Sequence, residues 1–246
     1  MEISLIVTAV AWFLGGFAVI VTGMGGPLLA LPIMAPFTDL QVVILVACFV
    51  SVPSNILLTL RFRRSIDWGR GWLMTMASLP GVWAGVLVLK YMPAFWMELG
   101  LGILLMAFVL WQFLAREKEG GQAEESHAAL AAYGAASGFF SGAVGMGGPP
   151  LAVCAYQHRW DRDMARGVFG LIFLVGISLT VVLDLWHGLV TRAAWEHIGV
   201  ALPAMLAGMA AGLPAAKRLS QRLFRWFMLL VVLGGALTLL HKALLG

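Results

Sequence analysis

An eight-residue phrase occurs twice in this chain and limits what the chain can fold into. The sequence GMGGPLLA occupies Gly23–Ala30, and GMGGPPLA occupies Gly145–Ala152, 122 positions further along. The dipeptide Gly-Phe at 16–17 recurs at the same offset, at 138–139. Seven identities in this eight-residue window, with a second pair in register, indicate an internal duplication. The chain therefore has to build its fold from two similar halves.

The composition identifies the medium in which these halves fold. Hydrophobic residues make up 61% of the 246 positions and charged residues only 11%, whereas soluble domains contain about 25% charged residues. Apolar runs of about 20 residues, the length of a membrane-spanning helix, recur along the chain. The sequence predicts an all-α, polytopic helical membrane protein.

The charged residues and the cysteines indicate which binding partners to expect. The net charge of +4 is compatible with nucleic acid binding, but basic residues of helical membrane proteins collect in cytoplasmic loops. We therefore expect the lipid bilayer as a partner and no nucleic acid. Cys48 and Cys154 both lie in apolar runs, which favours buried thiols over a disulfide or a metal pair. No metal and no cofactor are expected, and the oligomeric state is left open.

The apolar runs form two matching sets around one polar stretch. Residues 115–127 (AREKEGGQAEESH) have the composition of a solvated linker. The N-terminal repeat, 1–114, contains apolar runs at about 3–22, 27–37, 41–60, 71–89 and 95–114. The C-terminal repeat, 128–246, contains runs at about 128–144, 149–157, 164–186, 195–213 and 223–244. We predict that each repeat is a glycine-broken helical hairpin followed by three transmembrane helices.

The distribution of positive charge indicates how the repeats are oriented. If each glycine phrase lies inside a full crossing, the repeats are parallel, and the 16 Lys and Arg residues divide equally between the two faces. If each phrase turns a hairpin on one face, the repeats are inverted, and only Lys90, Arg192 and Lys242 remain on the outer face. Because positive residues accumulate on the cytoplasmic side, we predict inverted repeats, a cytoplasmic linker and both termini outside.

Each phrase has the chemistry of an anion site. Irregular backbone at bilayer depth is tolerated only where protein or a wet cavity satisfies its polar groups. Pro27 and Pro149 suit the first turn of a helix, where a missing N–H costs nothing. Helix N-termini carry partial positive charge and free amides, and in secondary transporters two such ends face the substrate near the membrane midplane. The predicted substrate-binding residues of the phrases are Gly23, Met24, Gly25, Gly26 and Pro27, with Gly145, Met146, Gly147, Gly148 and Pro149. The alternative is that the glycines only let two hairpins turn tightly and pack.

A few other polar residues occur within the apolar runs. Ser51, Ser54 and Asn55 lie in one run beside Pro53. Their hydroxyl and amide groups can donate to an oxyanion, so we assign them to the substrate site, with interhelical hydrogen bonding as the alternative. Asp184 is a candidate proton relay, because ionisable groups inside a membrane are usually functional. Its position near the outer end of its run favours a solvated, interfacial role instead.

The paired Gly-x-Gly-Gly-Pro phrases, one in each half of a chain with a polar central linker, resemble the sulfite exporter TauE/SafE family of membrane permeases. The resemblance covers essentially the whole chain. It implies transport of a small anion, a sulfur oxyanion or organosulfonate such as sulfite or sulfoacetate, across the bacterial inner membrane.

The prediction is a secondary transporter, with coupling to protons left open. Two other functional classes are alternatives to it. An anion channel is the nearest alternative, since inverted hairpins also build pores. An intramembrane enzyme is the more distant one: Ser141 lies in GFFSG, but the nearest histidines, His127 and His158, are predicted at or beyond the cytoplasmic boundary. The chain contains no GxxxxGK[ST] phrase for binding ATP. We expect a transporter and not an enzyme.

Overall fold

The computed structural model describes residues 2–22, 26–114, 126–215 and 221–245, and its helices follow the predicted apolar runs closely. Most of residues 115–127, the predicted linker, lie outside the described part of the chain. The described residues form α1 (Glu2–Thr22), α2 (Gly26–Met34), α3 (Leu40–Phe62), α4 (Trp68–Tyr91), α5 (Ala94–Leu114), α6 (His127–Val144), α7 (Gly148–Gln157), α8 (Arg162–Trp186), α9 (Arg192–Ala215) and α10 (Gln221–Leu245).

Several helices are long and apolar enough to cross a membrane. Six of the described helices meet this criterion by length and composition: Glu2–Ile20, Leu40–Phe62, Trp68–Tyr91, Ala94–Gln112, Arg162–Trp186 and Arg192–Pro214. Large apolar side chains cover their outer surface; Leu60 and Trp83, for example, are each more than half exposed. Such a surface suits contact with lipid rather than water. The prediction of an all-α, polytopic helical membrane protein is confirmed.

Polar side chains mark the start of several helices. Ser126 accepts a hydrogen bond from the Ala129 N–H (3.1 Å) at the start of α6. Asp67 does the same for α4, accepting from the Arg70 N–H at 3.0 Å. This backbone hydrogen bond lowers the pKa of Asp67, the positive charge of Arg70 lowers it further, and partial burial opposes both. These caps satisfy amides that the first turn of a helix leaves without a partner.

The helices form two compact units, and each unit takes helices from both sequence repeats. One unit contains α1, α2, residues 40–50 of α3, α5, α9 and α10. The other contains residues 51–62 of α3, together with α4, α6, α7 and α8. The division into repeats 1–114 and 128–246 remains a prediction from the sequence.

In the first unit, α1 packs on α9 and α5 packs on α10. A Cβ on Gly208 would collide with the carbonyl of Phe13, so the backbones of α1 and α9 are in direct contact. Near the start of both helices, Thr8 Oγ1 lies 2.8 Å from His197 Nδ1. Later residues of α1 therefore contact later residues of α9, so the two helices run in the same direction.

The contacts between α5 and α10 follow the opposite order. Glu98, in the first turns of α5, pairs with Lys242 in the last turn of α10. One turn further along α5, a Cβ on Gly102 would lie 2.9 Å from the Leu240 side chain, which precedes Lys242. The two helices are antiparallel.

In the second unit, α4 packs on α6 and on α8. Cβ atoms on Gly81 and Gly85 would collide with the backbone of α6, which brings these two helices into close contact. The end of α3 packs on α8 in the antiparallel sense. A Cβ on Gly170 would lie 3.0 Å from the Thr59 amide, and one on Gly167 would lie 3.0 Å from the Phe62 carbonyl.

Candidate anion-binding site

The second glycine phrase ends one helix and begins another within four residues. Gly145 has φ 68° and ψ 15°, a left-handed conformation that favours glycine, and it terminates α6. Its N–H donates to the Ser141 carbonyl (3.1 Å), and the Met146 N–H donates to the Phe140 carbonyl (3.2 Å). These two hydrogen bonds close the end of α6, so the chain can reverse and start α7 immediately.

The start of α7 has few amide donors and no side-chain cap. Gly147 is the N-cap residue and Gly148 the first residue of the helix, and no side chain hydrogen-bonds to this end. Pro149 falls in the first turn, which confirms the predicted position of the proline. Because Pro149 and Pro150 carry no N–H, the donors at this helix end are the amides of Gly147 and Gly148. Within the described residues neither amide has an acceptor.

Two serines of α6 form the wall beside this helix end. Ser137 Oγ donates to the Gly147 carbonyl at 2.9 Å, and both groups are buried. Ser141 lies one turn further along α6, and its Oγ occupies the space that a Cβ on Gly147 would need. Neither serine was assigned to the substrate site from the sequence. Their i, i+4 spacing immediately before the phrase is the signal that identifies them.

The space on the other side of the helix end is open. A Cβ built on Gly148 has no atom of the described residues within 4 Å, although Gly147 and Pro149 on either side are buried. A methyl-sized group beside the Gly148 Cα therefore meets no described atom of another element. Partial positive charge, unpartnered amides and open space together make this a candidate anion-binding site.

The first glycine phrase is described only in part. Gly23, Met24 and Gly25 lie outside the described residues. Gly26 begins α2, and Pro27 follows it in the first turn.

The start of α2 packs closely against α1. A Cβ on Gly15 would lie 2.9 Å from the Gly26 carbonyl, and a Cβ on Gly26 would lie 3.0 Å from Val19 Cγ2 and 3.7 Å from the Trp12 ring. Trp12 is buried, and its indole N–H has no acceptor in the part of the chain that the structure describes. The sequence did not single out this tryptophan.

The three predicted polar residues of α3 are all buried. Ser54 Oγ donates to the Ser51 carbonyl at 2.8 Å, as expected for a serine that bonds back within its own helix. Ser51 Oγ has no hydrogen-bond partner among the described residues. No hydrogen bond joins Ser51, Ser54 or Asn55 to the second phrase there, so their assignment to the substrate site remains a prediction.

The environment of Asp184 differs from the one predicted from the sequence. The interfacial, solvated role predicted for it is wrong, because its side chain is completely buried and both carboxylate oxygens lack partners in the described structure. The physical reason is helical phase: Ile177, Thr180 and Asp184 occupy the inward face of α8 at spacings of three and four residues. His187 Nδ1 lies 2.8 Å from the Leu183 carbonyl. A proton-relay role for Asp184 remains a prediction.

The described residues contain no group of three or more His, Cys, Asp or Glu side chains placed to hold a metal ion. Both cysteines are buried. The donors at the second phrase are neutral amides and hydroxyls, which suit an anion rather than a metal cation.

The chain is similar in sequence to known transport proteins. The family model described as "Sulfite exporter TauE/SafE" matches residues 8–239. The chain is 26% identical over 193 residues to a protein of Cupriavidus necator named "Probable sulfite/organosulfonate exporter TauE", covering 78% of this chain and 72% of that protein. No solved structure matches the chain significantly.

Proposed function

Because the chain belongs to the sulfite exporter TauE/SafE family, whose members are membrane transporters rather than enzymes, we propose that it is a secondary transporter for a small sulfur anion. The substrate is a sulfur oxyanion or an organosulfonate such as sulfite or sulfoacetate, and the transporter resides in the bacterial inner membrane. The name of the Cupriavidus necator relative supports this substrate class.

The start of α7 is the observation that carries the proposal. Among the described residues, the amides of Gly147 and Gly148 have no acceptor, and no atom lies within 4 Å of a Cβ built on Gly148. A sulfonate or sulfite oxygen supplies the missing acceptor, and the positive end of the helix dipole favours its charge. The first phrase is proposed to contribute in the same way through the start of α2. Ser51, Ser54 and Asn55 are proposed to supply further donors.

Helix directions support inverted repeats. In the alignment of the halves, α3 corresponds to α8 and α5 corresponds to α10. Parallel repeats would give corresponding helices the same direction, and inverted repeats give them opposite directions. The contact of Thr59 with Gly170 and that of Glu98 with Lys242 belong to antiparallel pairs. With the charge distribution, this supports a cytoplasmic linker and both termini outside.

A transport measurement tests the proposed function directly. Purified protein in proteoliposomes is expected to take up labelled sulfite or sulfoacetate with saturation, and to exchange internal for external substrate in counterflow. An anion channel, the alternative, gives non-saturating flux with measurable conductance and no counterflow. Absence of uptake for the whole panel of sulfur oxyanions and sulfonates would refute the substrate class.

The orientation of the helices in the membrane is tested by single cysteines at two positions that are predicted to lie on opposite faces. Lys90 lies in the last turn of α4, and Arg159 follows the end of α7. The inverted arrangement predicts that an impermeant thiol reagent labels Lys90→Cys from the outside and Arg159→Cys only after the membrane is opened. Labelling of Arg159→Cys from outside would exclude the proposed orientation.

A further inference from the structure

Two connections of the second unit are unusually rich in arginine. The connection from α3 to α4 and the one from α7 to α8 lie within residues 61–70 and 159–166, which contain seven arginines, three aspartates and no lysine. The positive-inside rule counts Lys and Arg alike, so it explains the charge but not the exclusive use of arginine. A guanidinium group matches two phosphate oxygens at once, whereas an ammonium group acts as a point charge. The composition therefore favours a phosphate-bearing ligand.

Helix packing brings the two connections together at one end of the unit. A Cβ on Gly167 in α8 would lie 3.0 Å from the Phe62 carbonyl at the end of α3 and 2.8 Å from Ile66 Cγ1. Ile66 is buried, and its Cγ2 would lie 3.7 Å from a Cβ on Gly71 in the first turn of α4. The last turn of α3 and the first turns of α4 and α8 are therefore held in place relative to one another.

The ring of Phe62 holds two cations near each other. The guanidinium carbon of Arg61 lies 5.9 Å from the centroid of this ring, and that of Arg166 lies 5.5 Å from it. Arg166 also pairs with Asp163 at 3.3 Å, whereas Arg61 forms no ion pair with a described residue. Because like charges repel, an anion that contacts both guanidinium groups lowers their electrostatic free energy.

Arg63 and Arg64 extend this positive charge into the connection that follows α3. Both side chains are exposed, and neither forms an ion pair or a hydrogen bond with any residue that the structure describes. Arg61, Arg63, Arg64 and Arg166 together are called the arginine cluster below. Its members have room and hydrogen-bond donors for a ligand outside the protein.

The helix surface next to the arginine cluster is apolar and exposed. Leu57 precedes Arg61 by one turn of α3, so the two residues share a helix face, and Leu57 and Leu60 are both exposed. Trp68 and Trp72, one turn apart at the start of α4, are exposed as well. Exposed tryptophans are typical of the headgroup level of a bilayer. A ligand that fits both surfaces has an anionic head and apolar chains.

We propose that the arginine cluster binds the phosphate headgroup of an anionic phospholipid. Arg61 and Arg166 donate hydrogen bonds to phosphate oxygens beside Phe62, and Arg63 and Arg64 add positive charge. The acyl chains lie along the exposed apolar face of α3, which a soluble anion would leave unused. The site uses no residue of the glycine phrases, and its occupancy does not depend on which anion is transported.

Lipid titration of the full-length protein in neutral detergent tests the site. Phosphatidylglycerol should raise the melting temperature with saturation, because a ligand that binds only the folded protein stabilises it. Phosphatidylcholine with the same acyl chains should not. In Arg63→Gln/Arg64→Gln the half-saturating phosphatidylglycerol concentration should rise about twenty-fivefold, since each basic residue near an anionic headgroup contributes about a factor of five. Without lipid this variant should melt at the wild-type temperature, since neither arginine has a partner in the described structure.

The control removes the same net charge elsewhere. Lys90 lies in the last turn of α4 and Arg192 begins α9, and Lys90→Gln/Arg192→Gln should keep the wild-type half-saturating concentration. Equal half-saturation of wild type and Arg63→Gln/Arg64→Gln would overturn the proposal, as would an equal rise in the control. Equal stabilisation by phosphatidylcholine would refute the role of charge. Equal stabilisation by glycerol phosphate would identify a soluble anion as the ligand and refute the lipid assignment.

Discussion

Two neighbouring glycines of the second phrase are predicted to respond oppositely to the same substitution. In Gly147→Ala the new methyl group would collide with Ser141 Oγ and lie 2.6 Å from the Ser137 carbonyl oxygen. In Gly148→Ala the new methyl group meets no atom of the described structure within 4 Å. The first methyl group enters packed protein, whereas the second enters the space assigned to the substrate.

The magnitudes follow from these contacts. Overpacking of this kind costs about 1–3 kcal/mol, and displacing Ser137 from the Gly147 carbonyl costs about 1 kcal/mol more. Gly147→Ala should therefore lose about 2–4 kcal/mol, or roughly 5–15 °C in melting temperature. Gly148→Ala should keep or slightly raise the melting temperature, since alanine is the better helix former by up to about 1 kcal/mol.

Transport separates the two variants in the opposite way, because the variant that keeps its stability is the one expected to lose substrate affinity. Gly148→Ala is expected to be folded and yet to raise the half-saturating sulfite concentration at least tenfold, because the methyl group keeps the anion from the amides of Gly147 and Gly148. Gly199→Ala is the control: its built Cβ also meets no atom within 4 Å in the part of the chain that the structure describes, but Gly199 lies on the exposed surface of α9.

The measurements are tryptophan-fluorescence melting in detergent and counterflow in proteoliposomes. Wild-type half-saturation in a folded Gly148→Ala protein would refute the placement of the substrate beside Gly148. A Gly147→Ala protein that melts at the wild-type temperature would show that the contact with Ser141 does not constrain the phrase.

Three further predictions concern charged residues. Asp67→Asn keeps a side-chain oxygen at the cap of α4 but removes its titration. Because the folded-state pKa of Asp67 is lowered, the wild-type protein should be more stable than this variant above pH 3.8, and its advantage should disappear as the pH falls through the folded-state pKa. Melting temperatures at a series of pH values measure this difference. Asp184→Asn should melt no lower than wild type, because the buried carboxylate has no partner in the described structure; if Asp184 relays protons, acceleration of uptake by an imposed pH gradient should disappear, and a persisting effect would exclude the relay. Lys242→Met leaves the buried Glu98 without its partner and should lower the melting temperature more than the double variant Glu98→Gln/Lys242→Met does. The loss of stability should stay below the roughly 3–5 kcal/mol of a fully buried pair, because Lys242 is half exposed. Equal melting temperatures of the two variants would refute this pairing.

The sequence by itself determined the features that depend on neighbouring residues. Hydropathy over about 20 positions predicted the apolar helices, because a spanning helix must satisfy its own backbone within one segment. The repeated phrase indicated two helix breaks, and Pro149 predicted the start of α7 because its fixed φ and missing N–H are tolerated in a first turn. These constraints act over a few residues and do not require knowledge of what packs against them.

Tertiary structure decided which groups meet. Ser137 and Gly147 are ten residues apart and come together only because Gly145 reverses the chain after α6. Asp184 was expected at a solvated interface, but the phase of α8 directs it inward. The same polar residue can be solvated, paired or buried alone, since its free energy depends on neighbours supplied by other helices. For that reason the sequence identified the glycine phrase, and only the packed structure identified the serine that faces it.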